Sequence, residues 1–117
     1  MSNEAAASLL TLDIERDGDV AIVRCHGKLV TGANGILSAA VCKLMPDCKR
    51  IVLDLKDLDY MDSTGLGTLV RLYVSAKTAG CSLELIHLGK RIRQLMSVTN
   101  LLSVFTVIGE QGTMIRF

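Results

Sequence analysis

The chain contains no tryptophan, and Tyr60, Tyr73, Phe105 and Phe117 are its only aromatic residues. Four scattered rings do not make a base-stacking platform, and a formal net charge of +1 without a basic cluster gives no electrostatic footprint for nucleic acid. Direct nucleic-acid binding is therefore not expected. No apolar run is long enough to span a bilayer, and Met1 to Ser8 lacks both a basic start and an uninterrupted hydrophobic stretch. The expectation is a cytoplasmic protein without a signal peptide or membrane insertion. Cys25, Cys42, Cys48 and Cys81 form no Cys-x-x-Cys pair, and His26 and His87 are isolated. No metal site is expected from that spacing, and three of the thiols lie in apolar runs, where a reduced cysteine behaves as a small hydrophobe.

What is present is apolar material, 50% of 117 residues, enough core for one self-sufficient domain. Residues 1–8 form a polar, Ala-rich tail expected to be flexible, and residues 9–117 form the domain. Leu10 to Glu15 alternates apolar and polar, Asp17-Gly18-Asp19 supplies a turn, and Val20 to Cys25 reads as a second strand, so a hairpin opens the fold. From Thr31 to Met45, Ile36, Leu37, Ala40, Val41 and Leu44 recur at helical spacing, which places a helix from near Gly32 to just before Pro46. Arg50 to Leu55 is a short β-branched run suited to a strand covered on both faces. Cys81 to His87 reads as a further strand, Lys90 to Ser97 as a short helix with Ile92, Leu95 and Met96 inward, and Val104 to Ile108 as a closing strand. This alternation argues for an α/β domain with a largely parallel sheet of about four to five strands, the hairpin adding an antiparallel member.

The informative stretch is Tyr60-Met61-Asp62-Ser63-Thr64-Gly65-Leu66-Gly67. It joins the central strand to a helix carrying Leu66, Leu69, Val70, Tyr73 and Val74 and ending at Gly80. The start of such a helix leaves N–H groups unpaired and turns the positive end of its dipole outward, at the sheet edge where open α/β folds place function. Ser63 or Thr64 can cap the helix there, be presented to a visiting protein, or do both. Gly65 and Gly67 let the helix start lie close to another backbone, or serve packing alone. Thr68, Arg71, Leu72 and Ser75 lie off the apolar stripe and, with Arg91 and Arg93, form either a docking surface or an ordinary solvated face.

Met61-Asp62-Ser63-Thr64-Gly65-Leu66-Gly67 closely resembles the signature of the anti-sigma factor antagonists, the single-domain STAS proteins of bacteria. Gly27-Lys28-Leu29 resembles the family's Gly-x-Leu after the second strand, Arg50 to Leu55 its central strand, and Val98-Thr99-Asn100-Leu101 with Val104 to Val107 its closing segment. The resemblance implies a STAS-like mixed sheet with packed helices and a non-enzymatic phosphorylation switch that needs no cofactor. Ser63 matches the residue phosphorylated in that family, with Thr64 as the alternative. Asp62, Ser63, Thr64, Gly65, Gly67, Thr68 and Arg71 become the expected partner-binding residues. The implied partners are an anti-sigma factor serine kinase, from which the unphosphorylated form releases a sigma factor, and a phosphatase that resets Ser63. A homodimer is a further expected assembly.

Two departures stand out. Many antagonists carry an Asp soon after Gly-x-Leu, where this chain has Val30 and Thr31. Gly109 to Phe117 is short for the amphipathic final helix of many relatives. Other readings of the same fold are a STAS subunit of a transporter ATPase complex and a member of a sensory scaffold. A serine hydrolase built from Ser63, Asp62 and His26 or His87 is a more remote one, since Gly-x-Ser-x-Gly is missing.

Overall fold

The computed structural model describes residues 9–98, 106–108 and 114–116. Strands β1 (Leu10–Asp17) and β2 (Val20–Leu29) pair antiparallel, from Leu10 opposite Gly27 to Asp17 opposite Val20. Gly18 makes the turn between them at φ 63°, a conformation that costs glycine little. Helix α1 (Asn34–Leu44), β3 (Arg50–Met61), helix α2 (Ser63–Thr78), β4 (Ser82–Ile86), helix α3 (Lys90–Val98), β5 (Thr106–Ile108) and β6 (Met114–Arg116) follow. The strands lie side by side in sequence order, β2 to β5 parallel, with β1 and β6 antiparallel at the edges.

That order decides where the core sits. Right-handed crossovers that always step in one direction place their helices on one face of the sheet. Alternation in β2 reports it: Ala21, Val23 and Cys25 are buried, whereas Ile22, Arg24 and His26 are half-exposed. Leu37 and Val41 of α1, Leu66, Leu69 and Leu72 of α2, and Ile92 and Met96 of α3 share one cluster with Ile51, Leu53, Leu55, Leu83 and Leu85 of the sheet. Each such side chain contributes about 1.5–3 kcal/mol on burial, so stability is concentrated on this face. The opposite face carries charge. There Glu84, although 4% exposed, accepts from Arg50 Nε at 2.9 Å and from Ser82 Oγ at 3.0 Å, as a buried carboxylate must. His26 lies 3.1 Å from Asp13 and 3.2 Å from Asp57, bridging three neighbouring strands.

The α/β class and its mixed sheet agree with the sequence-based expectation; the particulars differ in four places. First, β3 runs on to Met61 instead of ending near Leu55. Beyond Asp54 it pairs with β2 alone, and two register shifts against β2 mark bulges that let Lys56, Asp57 and Asp59 face solvent within a strand. Second, the sheet has six strands among the described residues, β6 being the addition. Third, α1 begins at Asn34, because Gly32 takes φ 94° just before it. Fourth, the buried face of α2 is Gly65, Leu66, Thr68, Leu69, Leu72 and Ala76, so Thr68 and Leu72 point inward and Val74 is 57% exposed. The tail at residues 1–8 and the segment Thr99 to Phe105 lie outside the described residues.

Candidate functional site

At the end of β3 the chain turns directly into α2. Asp62, not Ser63 or Thr64, is the N-cap: its extended backbone (φ −98°, ψ −176°) turns the carboxylate back over the first helical turn. Asp62 Oδ1 accepts the Gly65 N–H at 2.9 Å and the Thr64 hydroxyl at 2.6 Å, and Oδ2 accepts the Thr31 N–H at 3.3 Å. The Thr64 hydroxyl and these backbone N–H groups hold the Asp62 carboxyl below the usual carboxylate range.

The same contacts separate the two neighbouring hydroxyls. Thr64 Oγ1 donates to Asp62, receives Asn34 Nδ2 at 3.0 Å, and lies 3.0 Å from Thr31 Oγ1. Since the Thr64 hydrogen goes to Asp62, Thr31 is the donor in that last contact. Ser63, at the first helical position, is exposed, and its side chain makes no hydrogen bond among the described residues.

The remaining expected site residues divide by burial. Gly65 is buried beneath the site: an added Cβ would overlap the Leu29 carbonyl oxygen and lie 2.9 Å from Met61 Cγ. Its role is to let α2 approach the end of β2, where the Asp62 N–H donates to Leu29 O at 3.3 Å. Thr68 is also fully buried, its hydroxyl donating to Thr64 O at 2.9 Å, which removes it from the surface. Gly67 is half-exposed with open space where a Cβ would be, and Arg71 is exposed. Ser63, Gly67, Arg71 and Val74 therefore follow one another at three- and four-residue steps along the exposed side of α2.

Three contributors escaped the sequence reading. Thr31 supplies donors from the β2–α1 connection and Asn34 one from the first residue of α1, and Val74 adds an exposed apolar side chain. Only the polar pair Thr31 and Asn34 beside Gly32 hinted at a cap or turn. A hydrolase triad is not assembled: His26 engages Asp13 and Asp57, His87 engages Asp54, and neither bonds to Ser63. Among the described residues no group of histidine, cysteine and carboxylate side chains is arranged to hold a metal ion, and no helix is long and apolar enough to cross a membrane.

Residues 11–112 match the STAS domain family. The chain is similar to the anti-sigma-B factor antagonist of Bacillus subtilis, 28% identical over 98 residues covering 84% of this chain and 90% of that protein. It is 25% identical over 100 residues to the anti-sigma F factor antagonist of Paenibacillus polymyxa, covering 84% and 86% of the two chains. Its fold resembles the crystal structure of an anti-sigma factor antagonist from Mycobacterium paratuberculosis, with a TM-score of 0.74 at 21% identity and 84% of each chain covered. With the family match spanning nearly the whole chain, the chain belongs to the STAS domain family.

Proposed function

We propose that this STAS protein is an anti-sigma factor antagonist controlled by phosphorylation of Ser63. The observation that carries the reading is the inequality of two adjacent hydroxyls: Ser63 is exposed and unengaged, whereas Thr64 is held by Asp62, Asn34 and Thr31. A hydroxyl that must enter another protein's active site needs no internal bond broken first. Two relatives that match over most of their length bear the name of anti-sigma factor antagonists, and their role is the one transferred here.

Unphosphorylated, the chain binds an anti-sigma factor serine kinase through Ser63, Thr64, Gly67, Arg71 and Val74, and the kinase releases its sigma factor. Phosphorylation adds about 1.5 to 2 negative charges at Ser63. The N-terminal end of α2 tolerates that charge, and a partner surface fitted to a neutral hydroxyl does not. The complex then separates, and a phosphatase restores the serine. The protein itself catalyses nothing in this cycle, which takes place in the cytoplasm.

The test is capture of partners from native lysate by wild-type, Ser63→Ala and Ser63→Asp proteins, identified by mass spectrometry. Recovery of a small histidine-kinase-like ATPase by the first two baits and not by Ser63→Asp is the expected result. Equal recovery by all three folded baits would refute the switch, and a transporter ATPase or sensory scaffold among the captured proteins would move the chain to another branch of its family.

A further inference from the structure

The Thr64 oxygen has no bonding capacity left. A hydroxyl has one hydrogen to give and two lone pairs with which to receive. At Thr64 the hydrogen goes to Asp62 Oδ1 at 2.6 Å, and the lone pairs receive the Thr31 hydroxyl and Asn34 Nδ2, each at 3.0 Å. Burial does not separate Thr64 from Ser63, because both are exposed. The lone pairs do, since those of Ser63 have no donor among the described residues.

Two of the three partners come from far outside the motif: Thr31 lies 33 positions from Thr64 and Asn34 lies 30. Asn34 also carries a mark of this use. Its Oδ1 is buried without a hydrogen-bond partner, which is costly for an acceptor. Turning the amide over gives no relief, because the oxygen would then face Thr64 Oγ1, whose hydrogen is committed to Asp62. The donor that Asn34 presents to Thr64 therefore fixes its orientation.

In phosphoryl transfer the attacking oxygen uses a lone pair to bond the γ-phosphorus of a nucleoside triphosphate. The bond from that phosphorus to the bridging oxygen breaks, the diphosphate leaves with its electron pair, and the hydroxyl proton passes to a base. Thr64 already donates to a carboxylate that can take its proton, so with a lone pair free it would be an activated nucleophile. We propose that Thr31 and Asn34 are positioning residues that occupy the lone pairs of Thr64 and so confine phosphate transfer to Ser63. This selectivity rests on the phosphorylation of Ser63 proposed above and supplies the reason its neighbour is spared.

The test supplies the full chain with native lysate as the kinase source and ATP as the donor, and locates phosphate by mass spectrometry. Wild type is expected to carry it on Ser63 alone, and Ser63→Ala to carry none. Ser63→Ala/Thr31→Val/Asn34→Ala frees both lone pairs while keeping the Thr31 N–H on Asp62, and should raise Thr64 phosphate by about 10-fold or more over Ser63→Ala. Ser63→Ala/Thr31→Ser keeps the hydroxyl and should remain unlabelled. A merely structural role for Thr31 and Asn34 would lower labelling without moving it to another residue. Phosphate on Ser63 of wild type with none on Thr64 of the triple variant would overturn the selectivity and leave the switch standing. Equal Thr64 labelling in Ser63→Ala and the triple variant would do the same, whereas a wild type without phosphate on Ser63 would remove both. Thr31 is exposed, so Ser63→Ala/Thr31→Val decides the matter even if the triple variant fails to fold.

Discussion

Gly65→Ala and Gly67→Ala change the same atom in the same helix two residues apart, and the structure assigns them opposite signs. At Gly65 the new methyl would overlap the Leu29 carbonyl oxygen and sit 2.9 Å from Met61 Cγ. The Met61 side chain can yield, but the carbonyl moves only if the end of β2 separates from α2. That separation stretches the 3.3 Å bond from the Asp62 N–H to the same carbonyl. Overpacking costs about 1–3 kcal/mol and a lost hydrogen bond about 0.5–1.5 kcal/mol, offset by the about 0.5–1 kcal/mol that alanine gains over glycine in a helix. The net effect is a destabilisation of about 2 kcal/mol. At Gly67 nothing lies within 4 Å of the added atom, so only the helix term remains and the variant is more stable by about 0.5–1 kcal/mol. Urea unfolding should therefore place the two variants roughly 3 kcal/mol apart with unchanged m-values, and thermal melts about 10 °C apart. A Gly65→Ala protein as stable as wild type, or a Gly67→Ala protein less stable than Gly65→Ala, would refute the close approach on which the site geometry depends.

Three further outcomes follow from the same contacts. Because its donors hold the Asp62 carboxyl below the ordinary aspartate value of 3.8, its contribution to stability is fully present above that value and is lost as pH falls through the lower folded value. The stability gap between wild type and Asp62→Ala, followed by urea unfolding across an acid pH series, should thus close below pH 3.8; a gap that widened with acid would contradict the assignment. Thr64→Val removes the hydroxyl that joins Asp62, Asn34 and Thr31 and should cost about 1–2 kcal/mol, whereas Ser63→Ala should stay within about 0.5 kcal/mol of wild type in the same unfolding assay. A thiol reagent on the native protein should modify exposed Cys42 quickly and the buried Cys25, Cys48 and Cys81 only on unfolding. Burial pushes the Cys25 thiol up to about 12, and it also raises Cys81; fast labelling of Cys25 in the folded protein would show that β2 is not covered as described.

The hairpin, α1, α2 and β4 were legible in the sequence because each is a local pattern: alternation closed by Gly18, or apolar residues at three and four closed by glycine or proline. What was not legible depends on neighbours. The central strand was expected over Arg50 to Leu55 alone, and Lys56 to Asp59 extend it because β2 continues alongside and bulges turn the charges outward. The face of α2 was read about one residue off, since spacing alone cannot say whether Thr68 or Val74 points inward. The decision was made by a hydroxyl that can return its hydrogen to Thr64 O within the helix, so burying Thr68 costs little. Asp62 was recognised as part of the motif but not as the cap. Asp is as good a cap as Ser, so composition alone did not choose between Asp62 and its neighbours; the choice rests on where the helix begins, which lets Asp62 Oδ1 accept the Gly65 N–H and the Thr64 hydroxyl, with Thr31, 31 positions away, adding a third donor. His26 and His87, isolated in the sequence, acquire carboxylate partners only because the sheet brings Asp13, Asp57 and Asp54 beside them.

The presence of Val30 and Thr31 after Gly27-Lys28-Leu29, where the family resemblance implied an acidic residue, has a physical consequence at the start of α2. Asp62 is the only carboxylate in the cap, and the first turn of α2 has no acidic residue. An aspartate at position 31 would place a second negative charge beside the Asp62 oxygen that now accepts the Thr31 N–H. Thr31 instead contributes two donors, its N–H to Asp62 and its hydroxyl to Thr64. The Asp62 charge is therefore balanced by hydrogen bonds before any phosphate arrives, and a phosphate on Ser63 meets the helix dipole without a second carboxylate opposing it. The proposed phosphorylation of Ser63 would in this arrangement leave the helix start folded. Its effect would fall on whatever lies against the exposed stripe from Ser63 to Val74, as the proposed switch requires.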